Sequence, residues 1–240
     1  MRQDHRPYLV KRWLQAIERA YVQAFIAPHL DALGEHALIM KPWRLKIHGP
    51  NIRLGRSVHV VTATDRPVCL TTWMHEGGAG RIDIGDYVLL CPGARLDSAT
   101  HIEVGANTMI AAGTYLTDAD WHDVYDRTKP VGQTAKICIE ANVWIGDGVT
   151  VCKGVTIGEN SVIGAGSVVT RDIPSNVIAA GNPAVVIKPL DPDTVVVRRK
   201  SLLGDAEALA VAMDNMDRFL LGNNTWPHWL RTLVKPKRGD

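Results

Sequence analysis

The sequence predicts an all-β solenoid, a parallel β-helix, and three observations lead to that fold class. An aliphatic residue opens each of five consecutive hexads, at Ile145, Val151, Ile157, Ile163 and Val169. A small or β-branched residue follows four positions later in each hexad, and glycines or an asparagine stand where the chain must turn. Hexapeptide periodicity is typical of a parallel β-helix, in which each repeat forms one short strand and one turn. An amphipathic helix needs apolar residues at three-and-four spacing, so a helix is excluded over these residues.

The same six-residue register extends upstream of the regular run, over residues 84–115 with a two-residue slip at 102–103, and weaker coils are expected to begin near Ile47. Two segments interrupt it. Residues 65–81 are polar and rich in glycine, which predicts a turn or hairpin between coils. Residues 118–136 form the longer interruption, and a long loop in a regular scaffold is where function tends to lie.

Both ends of the chain are predicted to be helical. Over residues 9–25, which lie between two prolines, the apolar residues would share one face of a helix. The same pattern recurs over residues 201–221. We therefore divide the chain into an N-terminal helical extension (1–46), a β-helix domain with the loop 118–136 (47–190) and a C-terminal helical extension (191–240). The helices are expected to cap the open ends of the solenoid, while contact of a basic amphipathic helix with a membrane surface stays an alternative.

Composition excludes several classes of protein. The 240 residues are 46% hydrophobic and 22% charged, which suits a folded protein, and the formal net charge of +2 gives no reason to expect nucleic acid as a partner. The N-terminal residues do not resemble a signal peptide, and the apolar runs are too short to span a bilayer. Four cysteines without paired spacing predict reduced thiols in a cytoplasmic protein.

The loop holds the chemistry-bearing residues. His122 lies among four aspartates, Asp118, Asp120, Asp123 and Asp126. A carboxylate beside an imidazole can hold one tautomer and stabilise the imidazolium, which suits a general base near neutral pH. A solvated acidic loop with one incidental histidine is the other interpretation of this composition.

Several motifs taken together strongly resemble the hexapeptide-repeat acyltransferases, and in particular the maltose/galactoside acetyltransferase-like branch, which includes O-acetyltransferases of polysaccharide biosynthesis. They are the aspartate-rich turn with His122, Asn-Val-Trp-Ile-Gly at 142–146, the regular hexads, the segment 160–174 and Ala-Ala-Gly-Asn-Pro at 179–183. The resemblance covers residues 84–190 and implies a left-handed β-helix, a homotrimer, and active sites in the clefts between subunits.

The resemblance also implies a mechanism and a donor site. His122 falls on the general base that takes the proton from an acceptor hydroxyl as its oxygen attacks acetyl-CoA, with direct transfer, no acyl-enzyme and no metal. The residues at donor-binding positions are Trp144 (lining the acetyl and pantetheine tunnel), Asp147 and Ala165 (backbone N–H groups toward the pantetheine arm), and Arg171 and Lys188 (cations toward the nucleotide phosphates). The alternative for Trp144 is packing on a coil face, and the alternative for Arg171 and Lys188 is that they are ordinary surface charges.

The acceptor is less defined than the donor. Where the sugar-acetylating enzymes carry asparagines, this chain has Cys-Pro-Gly at 91–93 followed by Arg95. Arg95, Asp97 and Asp120 are therefore candidates to face the acceptor, which the resemblance suggests is a saccharide or a related small molecule.

The same fold also serves other functions. A zinc-dependent γ-class carbonic anhydrase needs three converging imidazoles, and the spacing of the nine histidines does not provide two of them five residues apart. A β-helix that binds or scaffolds without turnover is the main alternative. A second alternative keeps catalysis but uses a longer acyl donor.

Overall fold

The computed structural model describes residues 3–75, 77–238 and 240. The chain forms two compact units. One consists of the chain up to Ala20 together with the chain from Asp205 onward, and the other consists of Tyr21–Gly204.

The larger unit contains three sheets with parallel pairing along almost their whole length. Sheet A contains, in spatial order, β1 (Ala32–Leu33), β4 (Ile52–Leu54), β9 (Ile82–Ile84), β12 (Ile102–Val104), β15 (Ile137–Ile139) and β18 (Thr156–Ile157). Sheet B contains β2 (Leu38–Met40), β5 (His59–Val61), β10 (Leu89–Leu90), β13 (Met109–Ile110), β16 (Trp144–Ile145), β19 (Val162–Ile163), β21 (Val177–Gly181) and the antiparallel β22 (Ala184–Pro189). Sheet C contains β3 (Leu45–His48), β6 (Val68–Thr72), β11 (Arg95–Ser98), β14 (Tyr115–Thr117), β17 (Thr150–Val151) and β20 (Val168–Val169).

The chain visits sheets A, B and C in rotation, so each circuit adds one strand to each sheet. In the regular region the pairing partner lies three hexads further on, as with Ile145 and Ile163. The residues that open the hexads are completely buried and stack into one core, which confirms the parallel strands and the core positions predicted from the period: Ile145, Val151, Ile157, Ile163 and Val169.

Asparagines occupy equivalent turns between sheets A and B. Asn142, Asn160 and Asn176 adopt φ values of 58°, 62° and 60°, a region that asparagine tolerates better than most residues. The amide of Asn142 donates to the Asn160 side chain at 3.0 Å, and Asn160 donates to Asn176 at 2.9 Å. The turns of successive coils are thus tied together by a ladder of side-chain amides.

Strand structure begins earlier than the hexads indicate. The first strand starts at Ala32 rather than near Ile47, because short strands with few hexad matches already join the three sheets. Residues 65–81 contain β6, a regular strand of sheet C, followed by an antiparallel hairpin of β7 (Met74–His75) and β8 (Gly78–Ala79). The hairpin expected in this segment is therefore confined to its second half, and Glu76 lies outside the described residues.

Helices lie at both ends of the chain. The predicted helix 9–25 is α1 (Tyr8–Tyr21), after which the chain tightens into a π-helical turn at Val22–Ile26 and a 3₁₀ turn at Ala27–His29. A further 3₁₀ turn spans Pro42–Arg44. The predicted helix 201–221 is divided into α2 (Lys200–Leu203) and α3 (Ala206–Leu221). The division falls at Asp205, whose carboxylate caps α3 by accepting from the N–H of Ala208 at 2.9 Å.

The smaller unit contains α1, α3 and α4 (Trp226–Val234). Two ion pairs and two hydrogen bonds join α1 to α3. Lys11 pairs with Asp217 and Arg12 with Asp214, while the Tyr8 hydroxyl donates to Asp214 at 2.7 Å and the Gln15 amide to Asp217 at 3.3 Å. Among the described residues, no helix has the length and apolar character that crossing a bilayer requires. The domain boundaries at 46/47 and 190/191 stay predictions.

Candidate functional site

The loop 118–136 leaves sheet C after β14 and returns to sheet A at β15, and backbone hydrogen bonds close its base. The N–H of Asp120 donates to the Gln133 carbonyl at 2.9 Å, and the N–H of Gly132 donates to the Asp120 carbonyl at 2.7 Å. An antiparallel bridge between Ala119 and Thr134 lies beside them. The base is therefore an ordered ribbon, and the residues between 121 and 131 form its tip.

Asp118 anchors the first residue of this loop. Its carboxylate is completely buried and accepts three hydrogen bonds: from the Ser98 hydroxyl at 2.7 Å, the N–H of Ala99 at 2.7 Å and the N–H of Thr100 at 3.0 Å. A buried carboxylate is tolerated when donors satisfy it in this way. Asp118 therefore fixes the loop to the end of β11 and does not face the imidazole.

His122 lies exposed in an open recess of about 630 Å³. The recess is lined by Ala119, Asp120, Trp121, His122, Asp123, Val124, Arg127 and Lys153. No described residue hydrogen-bonds to the imidazole ring of His122, so both ring nitrogens are open to a substrate or to another chain.

The other aspartates of the loop have partners of their own. Asp120 pairs with Lys153 at 2.7 Å. Asp123 accepts from the N–H groups of Tyr125 and Asp126, and these backbone hydrogen bonds lower the pKa of its carboxyl. Asp126 accepts from the Thr128 hydroxyl at 2.5 Å. Within this chain, none of the four carboxylates orients the imidazole as the acidic composition suggested.

Lys153 is a member of the site that the sequence interpretation missed. Because Tyr115 of β14 pairs with Thr150 of β17, the turn after β17 lies next to the place where the loop leaves β14. Lys153 lies on that turn, one coil from the loop, and so reaches Asp120. The sequence does not give this contact, because the loop interrupts the hexads between Tyr115 and Thr150 and so removes their fixed offset.

Two of the donor-site candidates share the outer face of sheet B. Trp144 is in register with Val162, Val162 with Ile178, and Ile178 with Lys188. Trp144, Val162 and Ile178 alternate with core residues, so their side chains point outward, and Lys188 is exposed on the strand beside them. The indole of Trp144 is 50% exposed, which leaves an apolar surface that a ligand could cover.

Asp147 and Ala165 lie on neighbouring turns beside this face. The carbonyl of Asp147 accepts from the N–H of Gly166 at 2.8 Å, which places the two turns in contact. The backbone N–H groups of Asp147 and Ala165 have no acceptor among the described residues, and both residues are exposed. The Asp147 carboxylate accepts from the N–H of Ala112 at 3.2 Å and so belongs to the scaffold. The two turns present a pair of adjacent N–H donors to solvent.

Arg171 lies on a different side of the chain from Lys188. The register Thr150 to Val168 makes Arg171 the equivalent, one coil further on, of Lys153. It is exposed on the turn that follows sheet C, whereas Lys188 is exposed on the face of sheet B. None of the five donor-site candidates lines the recess around His122.

The acceptor candidates Arg95 and Asp97 are brought together and linked to the loop. Asp97 is only 2% exposed, pairs with Arg95 and accepts from the Tyr115 hydroxyl at 3.2 Å. The Arg95 guanidinium lies over the Tyr115 ring, 4.8 Å from its centroid. The indole N–H of Trp121 donates to the Tyr115 hydroxyl at 3.1 Å and to the Thr117 hydroxyl at 3.0 Å. Arg95 and Asp97 are thus connected through Tyr115 to Trp121, which directly precedes His122. The sequence interpretation missed these roles of Tyr115 and Trp121.

The four cysteines are free thiols. Burial raises the pKa of Cys152, although Lys153 acts in the opposite direction. A raised pKa disfavours the thiolate, so Cys152 is poorly suited to be a nucleophile.

A group of described residues elsewhere has ligand atoms suited to a metal ion. His5, His228 and Asp240 offer atoms within 4.8 Å of one another. Asp240 accepts from both terminal nitrogens of Arg231, at 2.7 and 2.9 Å, and this cation competes with any metal ion for the carboxylate.

Comparison with known proteins confirms the predicted resemblance. Residues 139–171 match the family model of the bacterial transferase hexapeptide (six repeats). The chain is 32% identical over 160 residues to a galactoside O-acetyltransferase of Lactococcus lactis subsp. lactis (strain IL1403), covering 64% of this chain and 60% of that protein. It is 46% identical over 90 residues to a polysialic acid O-acetyltransferase of Escherichia coli O1:K1, covering 37% of this chain and 29% of that protein. The chain thus carries the hexapeptide repeat of bacterial transferases and is similar to O-acetyltransferases, although it spans less than two thirds of the length of either relative.

A solved structure shares the fold. A variant of the N-acyltransferase AntD from Bacillus cereus, in complex with dTDP-4-amino-4,6-dideoxyglucose and coenzyme A, superposes with a TM-score of 0.57. The match covers 79% of this chain and 96% of that chain at 21% identity. At this identity the likeness concerns the arrangement of strands alone.

Proposed function

We propose that this chain is an acetyl-CoA-dependent O-acetyltransferase that acetylates a hydroxyl of a saccharide or a related small acceptor. The observation that carries the proposal is the imidazole of His122, which is exposed in an open recess and has no hydrogen-bond partner among the described residues. The likeness to galactoside and polysialic acid O-acetyltransferases supports the reaction class and the acceptor class.

The proposed reaction is a direct transfer. The neutral imidazole of His122 accepts the proton of the acceptor hydroxyl while the hydroxyl oxygen attacks the thioester carbonyl carbon. The C–S bond then breaks, the acetyl group remains on the oxygen as an ester, and the imidazolium returns the proton to the departing thiolate. Atoms and charge balance without an acyl-enzyme, which agrees with the raised pKa of Cys152.

The donor would lie along the outer face of sheet B. Trp144 and Lys188 are three strand spacings apart in one row, or about 14 Å at the usual spacing of neighbouring strands. We assign Trp144 to the acetyl and pantetheine end and Lys188 to the nucleotide phosphates. The pantetheine arm would run between these two ends, and the open N–H groups of Asp147 and Ala165 would donate to its polar groups.

A complete site would require two copies of the chain. His122 and Arg171 lie where the chain leaves sheet C, whereas Trp144 and Lys188 lie on sheet B. A cleft between neighbouring copies would join the two sets, so that Arg171 of one copy and Lys188 of another face the same phosphates. We therefore propose a homotrimer of left-handed β-helices, and a cytoplasmic location stays part of the proposal.

Calorimetric titration with acetyl-CoA, followed by an assay of thiol release in the presence of saccharide acceptors, tests the proposal. Wild-type protein is expected to bind acetyl-CoA at one site per subunit. His122→Ala is expected to lower turnover by about a hundredfold or more with little change in that affinity, as for the loss of a general base. His29→Ala, which removes another exposed histidine at the end of the 3₁₀ turn Ala27–His29, is the matched control.

The alternatives predict different results. A non-catalytic scaffold would bind no acetyl-CoA and release no thiol. An enzyme for a longer acyl donor would release thiol faster from a longer acyl-CoA than from acetyl-CoA. Undiminished turnover in His122→Ala would overturn the assigned mechanism.

A further inference from the structure

The outer face of sheet C next to the loop 118–136 carries an ordered set of polar side chains. Register places Lys46, Cys69, Arg95 and Tyr115 in one row, and His48, Thr71, Asp97 and Thr117 in the adjacent row. Of the residues between the rows, Leu70, Leu96 and Leu116 are completely buried and Ile47 is partly buried against the same core, so these eight point to the opposite face of the sheet. We call this set the sheet C face.

Two cations lie at one end of the sheet C face. Lys46 and Arg95 are two strands apart with the uncharged thiol of Cys69 between them, a backbone separation of about 10 Å at the usual strand spacing. Arg95 pairs with the buried Asp97, yet its side chain is more than half exposed. A guanidinium has five N–H donors, so the edge that faces away from Asp97 can hold a second carboxylate.

Two aromatic rings lie at the other end. Trp73 follows β6 directly, is 45% exposed and lies 5.7 Å from Trp121, measured between ring centroids, with the two planes at 56°. The hydrogen bonds of Trp121 to Tyr115 and Thr117 fix the edge of its indole. Trp121 also lines the recess that holds His122. The aromatic pair therefore joins the sheet C face to the candidate base.

These features suit one class of ligand. Two angled aromatic rings, of which Trp121 is held by hydrogen bonds, can pack against the C–H side of a sugar ring. Their position beside His122 brings a ring hydroxyl to the base. Arginine and lysine further along the face suit a carboxylate on the same or the neighbouring sugar. We propose that the sheet C face is the acceptor site and that the acceptor is an acidic saccharide; this rests on the proposed function, whose acceptor class it narrows.

Binding measured without acetyl-CoA tests the site separately from the reaction. The probes are trigalacturonate and its neutral counterpart galactotriose, titrated calorimetrically into wild type and variants. Trigalacturonate is expected to bind about tenfold more tightly than galactotriose at low salt, and the difference is expected to shrink as salt screens the exposed charges.

The variants assign the two ends of the face. Lys46→Gln and Arg95→Gln are each expected to weaken trigalacturonate binding about fivefold and to leave galactotriose binding unchanged. Trp73→Ala is expected to weaken both. Arg53→Gln, which removes an exposed cation from sheet A, is the matched control and is expected to change neither affinity. Circular dichroism checks that Arg95→Gln still folds. Lys46→Gln also tests whether a cation of the sheet C face binds the carboxylate, and it leaves the Arg95–Asp97 pair intact.

Equal affinity for the acidic and the neutral probe, or binding of neither, would overturn the acidic-saccharide proposal. So would a Lys46→Gln variant with wild-type affinity for trigalacturonate. Failure of the proposed function has a different signature, because acetyl-CoA would then neither bind nor release thiol even if trigalacturonate bound as expected.

Discussion

The ammonium group of Lys153 lies 2.7 Å from Oδ1 of Asp120, and this pair joins the recess loop to the next coil. Lys153 follows β17 on a turn that stacks on the start of the loop, while Asp120 lies two residues before His122. Both side chains are about one third exposed. An ion pair at this exposure contributes little to global stability, so its consequence is positional: it restrains the first residues of the loop.

Replacing Lys153 is therefore expected to affect catalysis more than folding. Lys153→Met should lower kcat about tenfold, because a base that is displaced by a fraction of an ångström meets its proton less often in the reactive geometry. The free energy of unfolding should change by less than about 1 kcal/mol, as for a partly exposed pair. Steady-state kinetics by thiol release and urea denaturation measure the two quantities.

Lys136→Met is the matched control, because Lys136 forms a similar exposed pair with Glu103 at 2.6 Å and does not line the recess. It is expected to keep wild-type kcat. Equal losses of kcat in the two variants would mean that the Lys153–Asp120 pair has no special role in placing His122.

The buried Asp118 should behave in the opposite way. Asp118→Ala leaves the Ser98 hydroxyl and the N–H groups of Ala99 and Thr100 without their acceptor. Each unsatisfied buried donor costs about 1–3 kcal/mol, so a loss of about 3 kcal/mol or more in the free energy of unfolding is expected.

Asp123→Ala provides the comparison within the same loop, because its carboxylate accepts from exposed backbone N–H groups that water can serve instead. A loss below about 1 kcal/mol is expected there. Urea denaturation of the two variants measures the difference, and similar losses would contradict the anchoring role of Asp118.

The sequence was sufficient for the repeating core and for the place of the loop. A strict period of six with an aliphatic residue at each start has few structural interpretations, and each of these residues is completely buried. A break in that period locates an insertion without further information. The first strands were missed because segments such as Leu38–Met40 are too short to display a period.

Contacts across the loop could not be predicted in the same way. The insertion removes the fixed offset of three hexads, so the pairing of Tyr115 with Thr150 does not follow from residue numbers alone. Without that pairing, the contact between Lys153 and Asp120 cannot be predicted. The partners of the aspartates were likewise undetermined, since composition places four carboxylates near His122 but says nothing about which donors they prefer.

Trp144→Ala should weaken donor binding while leaving the fold intact. The indole is half exposed on sheet B, so its removal opens no core cavity, but it deletes the largest apolar surface of the proposed donor site. A loss of about tenfold or more in the affinity for CoA is expected, as for a central aromatic contact. Calorimetric titration of CoA measures it.

Trp13→Ala removes an exposed indole from α1, in the smaller unit, and is the control for a general effect of losing a tryptophan. Its affinity for CoA should equal that of wild type. If Trp144→Ala also bound CoA normally, the donor would have to lie elsewhere than along sheet B.

The last prediction concerns His59, which lies between Leu38 and Leu89 in sheet B and whose Nε2 atom is buried without a hydrogen-bond partner. Burial lowers the pKa of this imidazole, and the nearby Arg199 lowers it further. Because the pKa is lower in the folded state than the ordinary value of about 6.5, the unfolded state binds more protons below that pH. Stability should therefore be lost as pH falls from about 6.5 toward the folded pKa.

His59→Leu removes the titrating group and fills the same position with an apolar side chain. Urea denaturation of wild type and variant between pH 8 and pH 5, chosen to bracket the ordinary histidine pKa of about 6.5, isolates this contribution from that of the other histidines. The wild type should lose stability relative to the variant as the pH falls, by a modest amount because the ring is partly exposed to solvent. A difference that stays constant over this range, or that changes in favour of the wild type on acidification, would show that the folded environment of His59 does not disfavour its charged form.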